Sequence, residues 1–176
     1  MKNYLLLALF AIGLTTSAQA QKFAGLDKSP LDVTYARQSR NAQPDAKIVY
    51  SRPQLKGREL SQLAPNGKVW RTGANETTEI TLYSSMTIGD QTLDPGTYSL
   101  FSIPGEETWT LIFNEQLHTW GAYTYDKSKD VLRAKASVSS SNDAIEAFSI
   151  NFQPSDKGYT LHMGWGKKIA SISLEK

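Results

Sequence analysis

An all-β antiparallel two-sheet sandwich, jelly-roll-like and built from about nine or ten strands, is the architecture the sequence predicts. Three observations carry that reading. Short runs such as Glu79–Tyr83 and Trp109–Asn114 alternate apolar and polar residues with the period of a half-buried strand. Turn signals separate such runs at hairpin spacing: Gly89-Asp90, Asp94-Pro95-Gly96-Thr97, Pro104-Gly105 and Gly166-Lys167. No long amphipathic helix interrupts the series, so nothing is available to cross between parallel strands. What remains is packed antiparallel sheets or a barrel, of which the sandwich is preferred.

The chain begins with a segment that stands apart from the fold. Lys2 supplies a positive start, Leu5–Leu14 an apolar run, and Ala18-Gln19-Ala20 a small-residue cleavage pattern. Residues 1–20 therefore read as a cleavable secretory signal peptide, cut after Ala20. The apolar run is short for a hydrocarbon layer of roughly 30 Å, which argues against a retained anchor. The chain has no cysteine, which excludes a lipoprotein anchor and any disulfide. The expected product is soluble, free of the membrane after cleavage, and periplasmic or extracellular.

Residues 21–30 read as a flexible N-terminal arm, and residues 31–176 as a single domain, a size that can bury a substantial core. Asp32–Ala36 and Lys47–Tyr50 are short strands joined by a polar loop. Gln54–Leu63 has leucines on one face, but Gly57 sits inside it and Pro65 follows, so a single turn is predicted there rather than a helix. The strand at Glu79–Tyr83 precedes a hairpin turning at Gly89-Asp90, where glycine can take the positive φ of a type II′ turn. Pro95-Gly96 and Pro104-Gly105 read as type II turns flanking a central strand at Tyr98–Ile103. After Asn114 comes a long aromatic and polar connection, Glu115–Asp130. Val131–Val138 is again strand and Ser139–Asp143 a loop. Strands follow around Phe148–Phe152, Tyr159–Trp165 and Ala170–Leu174.

Several runs in this order carry a family likeness. Tyr50-Ser51-Arg52-Pro53, Lys56-Gly57-Arg58, Gly67-Lys68-Val69-Trp70-Arg71-Thr72-Gly73-Ala74-Asn75-Glu76, Gly96-Thr97-Tyr98-Ser99-Leu100-Phe101 and Trp109-Thr110-Leu111-Ile112-Phe113-Asn114 together resemble the DUF2911 family. The likeness spans nearly all of the chain after the signal segment. It implies an exported single-domain protein of the kind commonest in Bacteroidota. That family has no assigned function, so the resemblance lends no catalytic residue.

Chemistry concentrates in Ser51–Thr77, where Arg52, Lys56, Arg58, Lys68 and Arg71 face only Glu59 and Glu76. Guanidinium forks match carboxylate, phosphate or sulfate geometry, and an indole face stacks on a sugar ring or cation. Arg52, Arg58, Trp70, Arg71 and Asn75, with Trp120 from the aromatic connection, are thus candidate ligand-binding residues for a small anionic or carbohydrate-like ligand. The same residues have a purely structural use. Arginines are good donors to the carbonyls of long loops, Trp70 can plug the core, and Trp120 can cover an open end of the sandwich.

Other chemistries find less. His118 and His162 are the only histidines, without metal-ligand spacing, so no metal site or cofactor is expected. No nucleophile elbow or phosphate-cradling glycine motif occurs. Removal of Lys2 leaves the 19 Lys+Arg one short against 17 Asp+Glu, a net charge of +1 that gives no field for nucleic acid. A non-enzymatic binding or accessory module is therefore the leading expectation. The alternatives are a glycan-directed hydrolase using Glu76 and a second carboxylate such as Asp126 or Asp130, and a structural scaffolding protein of the envelope.

Overall fold

The computed structural model describes residues 21–176, so the signal-peptide reading of residues 1–20 lies outside it. The chain is all-β. The nine strands are β1 (Leu31–Ala36), β2 (Ala46–Ser51), β3 (Glu79–Leu82), β4 (Met86–Ile88), β5 (Gln91–Leu93), β6 (Gly96–Ile103), β7 (Thr108–Asn114), β8 (Asp130–Ser155) and β9 (Gly158–Glu175). Among the described residues helix is confined to one turn, α1 (Leu60–Leu63), and a 3-10 turn at Lys127–Lys129. The strands pair antiparallel in the order β1-β2-β3-β6-β7-β8-β9-β4-β5.

They form one continuous sheet, where the sequence predicts two. The difference lies in the last two strands, which do not stop where polarity and glycine say they should. Ser139 and Ser140 stay paired to Ile169 and Lys168, although the run is exposed and lacks alternation. Beyond them β8 advances from Ser140 to Ser149 while β9 moves only from Lys168 to Gly164. Extra residues on one strand bend the pair without breaking it, which is what bulges do. Gly166 takes φ 60° at this bend rather than ending β9. The bent pair returns toward β2, where Gln54 bridges Ala147 and the Phe148 N–H donates to the Pro53 carbonyl at 2.9 Å.

The sheet therefore faces itself across a single core. Ile48, Ile80, Leu100 and Leu111 on one wall meet Phe148, Ile150, Leu161 and Met163 on the other. At the centre the Trp70 indole stacks on Trp165, centroids 5.5 Å apart and 16° from parallel. The edges of Trp109 and Phe148 close on it at 6.0 and 5.0 Å. Trp70 reaches this position because its segment pairs with β6: its N–H donates to the Ser102 carbonyl at 2.7 Å, and Ser102 returns the bond at 2.9 Å. On the opposite face Phe101 and Ile112 sit side by side on β6 and β7, buried beneath Tyr125 from the Glu115–Asp130 connection.

Hairpin chemistry is local, and it follows expectation at Gly89-Asp90 but not at the two Pro-Gly turns. β4 and β5 turn through Gly89-Asp90 in the register Ile88↔Gln91, and Gly89 has φ 69°. Gly96 and Gly105 do not have positive φ, so the two Pro-Gly turns are not type II. Gly105 is required for another reason: a Cβ there would collide with the Thr108 carbonyl.

Burial separates the tryptophans into two classes, and stability should follow. Trp70→Ala, at a residue 7% exposed, is expected to cost about 3–5 kcal/mol, the range for emptying a buried aromatic site. Trp120→Ala, at one 59% exposed, should stay within about 0.5 kcal/mol. Urea denaturation midpoints of the two variants check this ordering.

Candidate functional site

A cavity of about 540 Å³ opens on the outer face of the sheet, beside the C-terminal end of β2. Its floor is Val49 to Ser51, with Leu31 from β1. One wall is the segment entering β3, which contributes Asn75, Glu76, Thr77 and Glu79. His118 and Trp120 of the long connection stand over it, and Asp27 and Ser29 of the arm form its rim.

Backbone pairing, not side-chain packing alone, holds the upper wall. Glu76 and Trp120 form an antiparallel bridge. The Thr77 N–H donates to the Thr119 carbonyl at 2.9 Å and the Gly121 N–H to the Asn75 carbonyl at 3.0 Å. Below this bridge the buried Thr77 hydroxyl donates to the Gly121 carbonyl at 2.6 Å and lies 2.7 Å from the Thr119 hydroxyl. Gly121 is bound to its place by conformation and by space. Its φ is 70°, and a Cβ would lie 3.0 Å from Arg71 Nη1. Opposite residues of an antiparallel pair share a face, so Glu76 and Trp120 are presented side by side at the cavity.

The rim is equally specific. Asp27 Oδ1 accepts from the Ser29 N–H at 2.7 Å and from the Asn75 amide at 3.0 Å. Those two donors hold the Asp27 carboxyl below its ordinary 3.8. Glu79 Oε1 accepts the backbone N–H of His118 at 3.0 Å and faces His118 Nδ1 at 3.1 Å. His118 itself has φ 58°, a left-handed conformation that this pair of contacts supports. The lining thus has three carboxylates, Asp27, Glu76 and Glu79, with one imidazole, several hydroxyls and one indole face, and it includes neither Lys nor Arg.

The candidate residues from the sequence divide accordingly. Asn75, Glu76 and Trp120 come together at the cavity. Arg71 lies behind it, under Gly121, with Nε buried and unpartnered. Arg52 donates to the Phe148 carbonyl, the Asp32 carboxylate and the Ser149 hydroxyl at 3.0, 3.1 and 2.7 Å, tying β2 to β8. Arg58 donates to the carbonyls of Leu55 and Gln54 in its own loop. Trp70 is in the core. Asp126 caps the 3-10 turn, and Asp130 pairs with Arg133 at 2.7 Å, so neither stands with Glu76. His162 bonds Ser171 on its own strand β9 and Gln153 on β8. Among the described residues no three His, Asp or Glu side chains converge as a metal-binding set.

Asp27 and Glu79 are not among the site residues the sequence offers, and His118 enters there only as a histidine without metal-ligand spacing. Asp27-Lys28-Ser29 is a short Asx turn, a local signal that marks the rim. Nothing local announces Glu79 or His118, since their meeting depends on pairing across distant segments.

The family profile described as a protein of unknown function, DUF2911, matches residues 29–174. The chain belongs to the DUF2911 family. Comparison with curated proteins and with solved structures gives no match. In this DUF2911 chain the matched region takes in the sheet but for the last residue of β9, Glu175, and all of the cavity lining except Asp27.

The connection that carries Trp120 is anchored at its far end by Tyr125, Asp130 and Arg133. The Tyr125 hydroxyl donates to Asp130 Oδ2 at 2.7 Å and accepts from Arg133 Nη2 at 2.6 Å. Burial, then the hydrogen bond to Asp130 and its negative charge, pushes the Tyr125 phenol up from 10.0 to about 12. A group whose folded value is raised contributes stability that is whole below its unfolded value and lost as pH rises through the folded one. The DUF2911 chain should therefore lose stability between pH 10 and about 12, and Tyr125→Phe should make that loss shallower. Thermal melts across this alkaline range measure the slope.

Proposed function

We propose that this DUF2911 protein is an exported binding module whose outer cavity takes a neutral, polyhydroxylated, sugar-like ligand. One observation carries the reading: the exposed Trp120 indole is held by a backbone bridge directly beside Glu76, over a hollow lined with carboxylates and hydroxyls. An aromatic face covers the apolar side of a sugar ring, and carboxylates accept strongly from its hydroxyls. The ordered acceptors at the rim, Asp27 and Glu79, are already fixed by their own donors, so little is spent on arranging them. The acidic lining, without Lys or Arg, supports the carbohydrate side of the expectation over the anionic one.

Export is part of the proposal. It is supported by the positive start, apolar run and Ala18-Gln19-Ala20 pattern of residues 1–20. Intact-mass measurement of the protein recovered from periplasm or medium should give a chain beginning at Gln21. Recovery of a cytoplasmic chain that still begins at Met1 would count against export.

The three carboxylates on one cavity also support a second reading, a glycan hydrolase with Glu76 as acid or base beside Asp27 or Glu79. The two readings part on one variant: Glu76→Gln should abolish turnover and retain binding in a hydrolase, whereas a binding module shows no turnover in either form.

Of the four tryptophans only Trp120 is exposed, so a ligand-induced change in tryptophan emission reports this site. Titration with neutral saccharides is expected to shift the emission of the wild-type protein. Trp120→Ala should remove both the shift and the binding, and Trp120→Phe should keep binding. Unchanged affinity in Trp120→Ala would overturn the assignment.

A further inference from the structure

The cavity is not an isolated hollow, because the sheet continues outward from it without a cover. Val33, Val49 and Glu79 share one register row across β1, β2 and β3, and Val49 and Glu79 line the cavity. The next row on the same face is Tyr35, Lys47 and Thr81, followed across β6 by Thr97. The long connection covers the first row, where the Ser99 hydroxyl donates to the Gln116 carbonyl at 2.6 Å, and goes no further.

Beyond that line the outer face is open and amphipathic. Tyr35 is 42% exposed with the Arg37 guanidinium 4.4 Å over its ring, and Tyr83 is 50% exposed at the end of the same run. Between them lie the Lys47 side chain and the Thr81 hydroxyl, which is 3.1 Å from the Thr97 hydroxyl on the far side of β3. From Glu79 to Tyr83, the residue just after β3, whose N–H donates to the Asp45 carbonyl at 2.9 Å, the chain covers about 13 Å at roughly 3.3 Å per residue, longer than a single pyranose ring.

We infer that the ligand is an oligosaccharide, with one ring in the cavity against Trp120 and its following rings laid along β2 and β3 between Tyr35 and Tyr83. The inference rests on the reading of the cavity as a sugar site. It adds that the site is a cleft for a chain and is not a pocket for one ring. Aromatic side chains at both ends with hydroxyl and ammonium groups between them supply, in order, stacking faces and hydrogen-bond partners for successive rings.

Calorimetric titration with cello-, chito- and malto-oligosaccharides, each from monosaccharide to hexasaccharide, tests this on the mature protein. Three forms are compared: wild type, Trp120→Ala, and the Tyr35→Ala/Tyr83→Ala double variant. All three substituted positions are exposed, and thermal melts verify that each variant is folded. In one of the series affinity should rise by about tenfold or more from monosaccharide to tetrasaccharide. The double variant should lose that rise while binding the monosaccharide as wild type does. Affinity that depends on Trp120 but is flat with length, or a rise that survives in the double variant, overturns the chain-binding inference and leaves the cavity reading standing. Absence of binding by every member of all three series overturns the cavity reading and this inference with it.

Discussion

The stacking of Trp70 on Trp165 is the contact on which the rest of the structure depends. The segment between β2 and β3 has one helical turn and almost no strand of its own, so it cannot order itself. Insertion of Trp70 among Trp165, Trp109 and Phe148 fixes its middle, and removing an indole from water contributes several kcal/mol at about 25 cal/mol per Å² of apolar area. With Trp70 seated, the Thr72 hydroxyl meets Ser102 and the Thr78 hydroxyl meets the Thr72 carbonyl, both buried. Thr77 and Asn75 are then in position to receive the long connection. A core contact thus sets where a surface tryptophan stands.

The distribution of charge follows from the same economy. A long irregular segment has many carbonyls that sheet pairing does not satisfy, and an arginine satisfies several at once. Arg52 and Arg58 are used in this way. Two of the five cations of the most basic stretch are thus turned on the protein's own backbone, none of the five lines the nearby hollow, and that hollow is left with carboxylates. A chain whose formal charge is +2 therefore carries a locally acidic site. Net charge describes the distant field, and the sign of a site is decided by which side chains the fold turns toward it.

Enclosure of the core by one sheet is a matter of strand length. Short strands joined by tight turns give flat pieces, and closing a core from them calls for two sheets. β8 and β9 are long enough to bend back over their neighbours, and the bulged register near Ser140–Ser149 makes the bend. The arrangement leaves β1 and β5 as edges. At β1 the Val33 N–H is taken by the adjacent Asp32 carboxylate at 2.8 Å, which removes one donor from the exposed edge.

The sequence by itself determined what short range decides. Period-two alternation marks β3 and β7, bulk on both faces marks β6, Gly89-Asp90 marks the β4–β5 hairpin, and Gly57 with Pro65 limits the helix to one turn, because each effect acts within a few residues. Asn75 and Trp120 were legible as candidates, since a Gly-flanked basic loop and an aromatic connection are unusual in composition. Tertiary structure alone decided the rest. Continuity of β8 and β9 comes from hydrogen bonds to partners that exposed serines and a glycine do not advertise. The meeting of Asp27, Glu79 and His118 with Trp120 is a product of register across strands far apart in the chain, and a linear pattern contains no term for that geometry.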